Sequence, residues 1–392
     1  MKRLLLSLLA LSPLLAARCE AIPRFSLLTG DRCSSCHFNP QGSGIRNELG
    51  WEMMNQTGLF QWGQDTSEIS PTHSLFNGLI APGGDARFQL VRLSTTGQEL
   101  LIPMQLTTSL AVIPSHTVTM FTNINWASVY VRGQPNFSSS LYPGETDYDA
   151  TIMYQPSITL PSIRAGMIEP SISIRQDDHT LFAHQEAALQ GIALIPPYYN
   201  DLGAELTYEG IKWLTVNAGV FNAYNLAQVD PTIGTITSNF DFSHPSYSAR
   251  VMFWPQSLDL GINGELGASI LVNGAFRMIN GWAGIGLSDK ASLYFEGLYN
   301  KDAANRIVRN WSVIGSMELT SWLSAEWRYD WGMTEIYPGQ ALGYATAFLA
   351  GLEFFPFPYI ELRPEYRVMD KNPFYGTGVH TGQWTGQLHV FY

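Results

Sequence analysis

The sequence predicts a mostly β fold: an outer-membrane antiparallel β-barrel of about 16 strands, preceded by a small α-helical domain at the N-terminus. Three observations carry that expectation. Apolar and polar residues alternate with period two through much of residues 85–392. No run of about 20 apolar residues follows the N-terminal leader, so a helical span is not expected. Charged residues make up only 14% of the chain and aromatics 12%, with 35 glycines. That composition suits a wall that faces lipid on one side and water on the other.

The chain opens on a secretory signal, expected over residues 1–21. Lys2 and Arg3 are its charged start, and Leu4 to Leu15 its apolar stretch. Cys19-Glu20-Ala21 offers the small residues that cleavage before Ile22 requires. A lipid attached at Cys19 is the other reading, but Arg18 just before it suits that poorly. After cleavage at Ala21 only Cys33 and Cys36 remain of the three cysteines.

Residues 22–60 read as a compact domain built around Cys33-Ser34-Ser35-Cys36-His37. C-x-x-C-H is the attachment sequence of a c-type haem. Two thiols three apart on a tight turn can each add to one vinyl group of a porphyrin, and His37 then sits under the iron as proximal ligand. A zinc site would need four ligands, and no second C-x-x-C exists. A thioredoxin-like pair would need a βαβ context. Neither reading explains the adjacent histidine. One covalent haem c is therefore the expected cofactor. None of the other histidines, His116, His179, His184, His244, His380 and His389 among them, follows a C-x-x-C, so one haem serves alone.

Asn39, Pro40, Gly42 and Gly44 mark a turn after His37. Residues 45–56 are expected to be helical, with Ile45, Leu49 and Met53 on one face. Met53 is then the first candidate for the sixth ligand of the iron, with Met54 and His73 as alternatives; Met53 as plain core is the competing reading. A domain this small rarely folds without a metal, a disulfide or a partner. It is expected to use the haem as its core and to plug the lumen, which is wide in a 16-stranded barrel. Residues 61–83, with Ser70-Pro71 and Pro82-Gly83, read as a linker.

The barrel is expected over residues 84–392. Leu323, Ala325, Trp327, Tyr329 and Trp331 share one face of a strand, and Ser324, Glu326, Arg328 and Asp330 the other. Ile360, Leu362, Tyr366 and Val368 oppose Glu361, Arg363, Glu365 and Arg367. Ala291, Leu293 and Phe295 oppose Ser292, Tyr294 and Glu296, and Tyr247, Ala249, Val251 and Phe253 oppose Ser248 and Arg250. Aromatics on one face and charge on the other suit a lipid-facing belt and a wet lumen. Trp384, Leu388, Val390 and Tyr392 alternate up to the C-terminus, as the recognition signal of bacterial barrel assembly does. Residues 169–200 break the strand rhythm. They read either as a loop folded into the pore or as an ordinary extracellular loop. A metal site of His179 and His184 with Asp177 and Asp178 is a further possibility there.

The run from Ala21-Ile22-Pro23-Arg24-Phe25 through Thr29-Gly30 to Cys33-Ser34-Ser35-Cys36-His37 resembles the N-terminus of the fused outer-membrane cytochrome–porins of iron-oxidising bacteria. Beyond His37, residues 39–50 depart from that family's pattern. The resemblance implies one haem, a barrel of this length, electron uptake from extracellular Fe(II) and delivery to periplasmic carriers. A redox centre joined to a barrel likewise points to electrons crossing an outer membrane. The expected partners are outer-membrane lipids, a periplasmic cytochrome or other acceptor, and extracellular Fe(II) or another redox partner. A net charge of −11 argues against nucleic acid. A diffusion porin with an accessory cytochrome domain, and a conduit running electrons outward, are the competing functions.

Overall fold

The computed structural model describes residues 26–27, 31–42, 45–47, 49–50, 74–94, 97–126, 148–174, 181–184, 194, 199–229, 244–255, 263–287, 290–302, 305–336, 341–357, 359–373 and 377–391. The signal segment, Met53, Met54, His73, Asp177, Asp178, His179 and Tyr392 lie outside these residues, as do Cys19 and most of the expected linker.

Sixteen strands close into one antiparallel barrel. The first half comprises β1 (Ile80–Leu93), β2 (Glu99–Ser115), β3 (Val118–Asn125), β4 (Tyr148–Tyr154), β5 (Ser162–Ile168), β6 (Asp201–Ile211), β7 (Leu214–Phe221) and β8 (Ser246–Phe253). The second half comprises β9 (Gly264–Asn273), β10 (Phe276–Gly286), β11 (Ala291–Lys301), β12 (Arg306–Thr320), β13 (Leu323–Ile336), β14 (Ala341–Phe357), β15 (Ile360–Pro373) and β16 (Val379–Phe391). Each strand pairs with its sequence neighbour, and β1 closes on β16 from Asp85↔Phe391 to Leu93↔Gln383. Closure leaves no strand edge with unpaired backbone groups, the condition for crossing a bilayer with strands.

The alternation read from sequence sets the two faces. Phe295, Trp327, Tyr329, Leu362 and Tyr247 are exposed on the outside, while Glu296, Arg328, Asp330, Glu361 and Arg250 are buried within. Trp384, Leu388 and Val390 of the last strand also face outward. The barrel begins earlier than expected: β1 starts at Ile80, and Pro82 and Gly83 belong to it rather than to a linker. Proline and glycine read as breakers in isolation, but a paired strand accepts them near its end.

The two ends of the barrel differ. One end carries the connections 116–117, 212–213, 321–322 and other short turns, together with the start of β1 and the end of β16. The opposite end carries the long connections 126–147, 169–200 and 222–245. Short turns face the periplasm in outer-membrane barrels and long loops the exterior.

Two stretches occupy the lumen. Residues 26–50, where described, pack on the inner wall near the short-turn end. They include a four-residue helix, α1 (Cys33–Cys36). The connection from β5 to β6 enters from the long-loop end. Its Ile172, Ile174, Leu181, Phe182 and Leu194 are buried. The described residues of 169–200 follow the inward reading of that segment. The helix expected over 45–56 does not begin at Ile45, because Arg46 forms a β-bridge with His37. Helical backbone is found at Leu49 and Gly50. Ile45 is buried and Leu49 is 47% exposed, so the two do not share a packed face.

Candidate functional site

Cys33 to Cys36 make a single helical turn, closed by the His37 N–H donating to the Cys33 carbonyl at 3.0 Å. That turn brings both thiols to one side of the chain and hands on to His37 in extended conformation. Residues 45–50 fold back over it. Asn47 donates its backbone N–H to the Cys36 carbonyl at 3.0 Å and its side-chain amide to the Ser35 carbonyl at 2.9 Å. Gly42 (φ +85°) makes the return turn, in a conformation that favours glycine. A Cβ on Gly50 would lie 2.1 Å from the Cys36 carbonyl oxygen, so only glycine fits there.

The segment is fastened to the wall at several heights. Arg32 donates to the carbonyls of Glu209 (3.2 Å), Ile211 (2.9 Å) and Lys212, capping the β6–β7 turn. Ser34 donates to the Glu209 carboxylate at 3.0 Å. Ser26 donates to Glu265 at 3.2 Å, and Leu27 packs among Met252, Trp254, Trp282 and Tyr294. Two wall glycines make room for Leu27: a Cβ on Gly284 would meet its methyls at 2.8 Å, and one on Gly286 its carbonyl oxygen at 2.3 Å. On the other side Ile45 and Phe38 pack on Ala81, Ala111 and Phe121, and Arg46 lies over the Phe391 ring at 5.2 Å.

The N-terminal segment and the inward loop meet at Arg164. Its guanidinium donates to Asn39 Oδ1 (3.0 Å), to the Glu169 carbonyl (2.8 Å), to Ser171 Oγ (3.3 Å) and to Glu205 (3.1 Å). Gln41 donates to the same Glu169 carbonyl at 3.1 Å, and Ile174 of the loop joins the cluster around Leu27. No local signal marks this junction, since Asn39 and Arg164 stand 125 positions apart.

The donor set suits a covalently attached haem. Neither Cys33 nor Cys36 is in a disulfide. Burial pushes the Cys33 thiol up to about 12, with the carboxylates of Glu265 and Glu209 adding to the effect and Arg250 opposing it. Cys33, Cys36 and His37 lie together on and just after this turn. Asp177, Asp178 and His179 of the expected metal site lie outside the described residues. His184 shares Glu296 Oε1 at 3.2 Å with the Ser173 hydroxyl, 3.1 Å from the ring, and no group of three metal-ligating side chains occurs among the described residues. His389 bonds Glu361 at 2.8 Å and lies 3.1 Å from Asp85, and His380 bonds Asp370 at 2.6 Å; both are wall polar residues.

Known structures share this architecture. The outer membrane channel DcaP of Acinetobacter baumannii is similar over 80% of this chain and 97% of its own, with a TM-score of 0.57 and 10% identity. A loop-deletion mutant of OmpT, an outer membrane protein of Vibrio cholerae, is similar over 80% and 99%, with 0.53 and 11%. The chain is an outer-membrane β-barrel. A mutant porin of Rh. blastica is similar over 80% of the chain and 100% of its own, at 0.50 and 11%. The likeness is one of fold, with the porin-like barrel of the outer membrane of Gram-negative bacteria. No protein-family model and no curated protein matches the chain.

Proposed function

We propose that this barrel is an electron-transfer protein of the outer membrane that carries one covalent c-type haem in its lumen. The observation that carries the reading is the placement of Cys33-x-x-Cys36-His37 on one helical turn, packed against the inner wall. Cys33 and Cys36 would form the thioethers, and His37 would be the proximal ligand. The bound group would supply a one-electron carrier. The protein's own residues hold its attachment site. Arg32 and Ser34 fix the turn to the β6–β7 end of the wall, and the fold-back at Asn47 and Gly50 covers it. Ile174 of the inward loop packs in the same cluster as Leu27 of the N-terminal segment.

The direction proposed is inward, from an extracellular donor to periplasmic carriers, with Fe(II) as the donor implied by the resemblance of residues 21–37. The position of the turn at the short-turn end favours exchange with a periplasmic partner. A second reading rests on the barrel itself: the structures it resembles include a channel and a porin, which favours a diffusion porin with an accessory redox segment. A conduit running outward uses the same site.

The test uses the full mature chain purified with haem. Haem-linked peroxidase staining of the denatured band is expected, followed by rapid appearance of reduced-haem bands when Fe(II) is added without oxygen. Planar-bilayer recordings should show little open-channel current. A band without haem, together with a steady porin current, would leave the diffusion porin as the function. Haem that dithionite reduces but Fe(II) does not would exclude iron as the donor.

A further inference from the structure

On the lipid side of the seam between β1 and β16 the wall is indented. Gly386 of β16 faces outward there, paired with Leu90 of β1 on one side and Pro364 of β15 on the other. A Cβ on Gly386 would meet nothing within 4 Å, so the dent is open space and not a close approach of two backbones. A groove of about 620 Å³ runs from this dent past Leu90 and Trp384 to Arg92, Ser94 and Glu99. That volume is in the range of clefts that take small ligands.

The groove changes character along its length. Its lower part is apolar, with Leu90 49% and Trp384 57% exposed. Its upper part holds an exposed ion pair, Arg92 Nη1 to Glu99 Oε1 at 3.7 Å. Arg92 stands opposite Trp384 in register, and Trp384 packs on Tyr366 with ring centroids 4.5 Å apart. Aromatics and charges at one height on the lipid face mark the depth of the headgroups. The β1–β2 turn lies just above, at the long-loop end, so that height belongs to the outer leaflet. Ser94 ties this turn to β16, its hydroxyl donating to the Gly382 carbonyl at 2.7 Å.

We infer that this groove binds one lipid of the outer leaflet, a glycolipid with phosphate on its sugar headgroup. The phosphate meets Arg92, and an acyl chain lies over Gly386 between Leu90 and Trp384. The place of the barrel in the outer membrane puts lipid against this face, and the inference does not depend on the haem. Charge selects the headgroup: a guanidinium presents a planar fork that matches two phosphate oxygens. Glu99 competes for the same fork, but an exposed ion pair is weakly held and gives way to a better partner. Shape selects the chain. Inside a bilayer the gain comes from packing and not from leaving water. Glycine at 386 leaves the width of a side chain between two apolar walls, and a chain seated there keeps contacts on both sides.

The experiment is native mass spectrometry of the full mature protein in detergent, with diphosphoryl lipid A as the probe. One bound lipid is expected at low probe concentration. Arg92→Gln removes a charge-assisted bond, and about tenfold more probe should then be needed for the same occupancy. Gly386→Leu fills the dent and should weaken binding with Arg92 still in place. Glu99→Gln frees Arg92 and should strengthen it. Opposite effects of Arg92 and Glu99 are what mere loosening of the β1–β2 turn would not give. Should Gly386→Leu fail to fold, the other two variants still decide. Binding that ignores all three substitutions overturns the inference. So does equal binding of phosphate-free lipid A or of phosphatidylethanolamine. A dimer or larger assembly that Gly386→Leu splits, with no lipid retained, gives the groove to a second copy of the chain and overturns it as well.

Discussion

Two segments lie against the inner wall of the barrel, and they are held in different ways. The β5–β6 loop is tied by buried polar pairs and by packing. Ser173 donates its N–H to Ser269 Oγ at 2.8 Å, and Phe182 sits against Ala345, Ala347 and Met369 under the Arg367 guanidinium, 5.3 Å from its ring. Asn310 and Ser312 fix the backbone around Phe182 and Ala183. The N-terminal segment contributes few buried apolar side chains of its own, Leu27, Cys36 and Ile45 among the described residues, and is pinned largely by half-exposed contacts such as Arg32 to the β6–β7 carbonyls. The loop is therefore part of the wall's own core. The N-terminal segment borrows the wall, and on the proposed reading it gains its missing core from the haem.

The most forceful way to break this contrast is to remove the thiols. Cys33→Ser with Cys36→Ser should abolish covalent haem, read by the loss of peroxidase staining from the denatured band. The barrel should still fold, because no strand pairing passes through residues 26–50. With the haem gone, the N-terminal segment should become more open to protease than the loop, and bilayer current should rise. If the doubly substituted protein keeps its lumen as closed as before, the segment has a sufficient core without haem, and the contrast fails.

Arg164 offers a smaller effect that acts on both segments at once. It is 3% exposed and lies 2.9 Å from Glu205, which is fully buried. Arg164→Gln leaves that carboxylate buried without its ion-pair partner and should cost about 3–5 kcal/mol. It also removes the bond to Asn39. Urea titration of the folded barrel would measure the loss. A cost below about 1 kcal/mol would mean that the junction is not what joins the two segments.

How far all this was legible follows from what each feature depends on. The strands were readable because each face meets a different solvent, so Glu296 and Phe295 or Arg328 and Trp327 declare their sides by identity alone. The C-x-x-C-H turn was readable because its chemistry is local. Ile45 misled for the same reason: its spacing to Leu49 suggested a helix, but pairing of Arg46 with His37 won. Pro82 and Gly83 read as breakers on their own, and it is their pairing with Leu110 and Ser109 of β2 that carries β1 back to Ile80. His184 bonds Glu296, 112 positions away, a partner that no local pattern announces. Nothing in the order of residues announced Arg164, Glu265 or Arg250, since the lumen brings together side chains from strands remote in sequence.

The finest test concerns the coupling between the two segments. Gln41 and Arg164 donate to the same Glu169 carbonyl, at 3.1 and 2.8 Å. Gln41→Ala alone removes one of these bonds and should cost about 1 kcal/mol, because Arg164 still satisfies the carbonyl. In Arg164→Gln the same substitution takes away the remaining donor of the two, so its cost should be larger. A double-mutant cycle in urea should therefore return a coupling of about 0.5 kcal/mol or more. Additivity within about 0.3 kcal/mol would show that the two donors act independently, and that the N-terminal segment and the loop share a position in the lumen without sharing an energy.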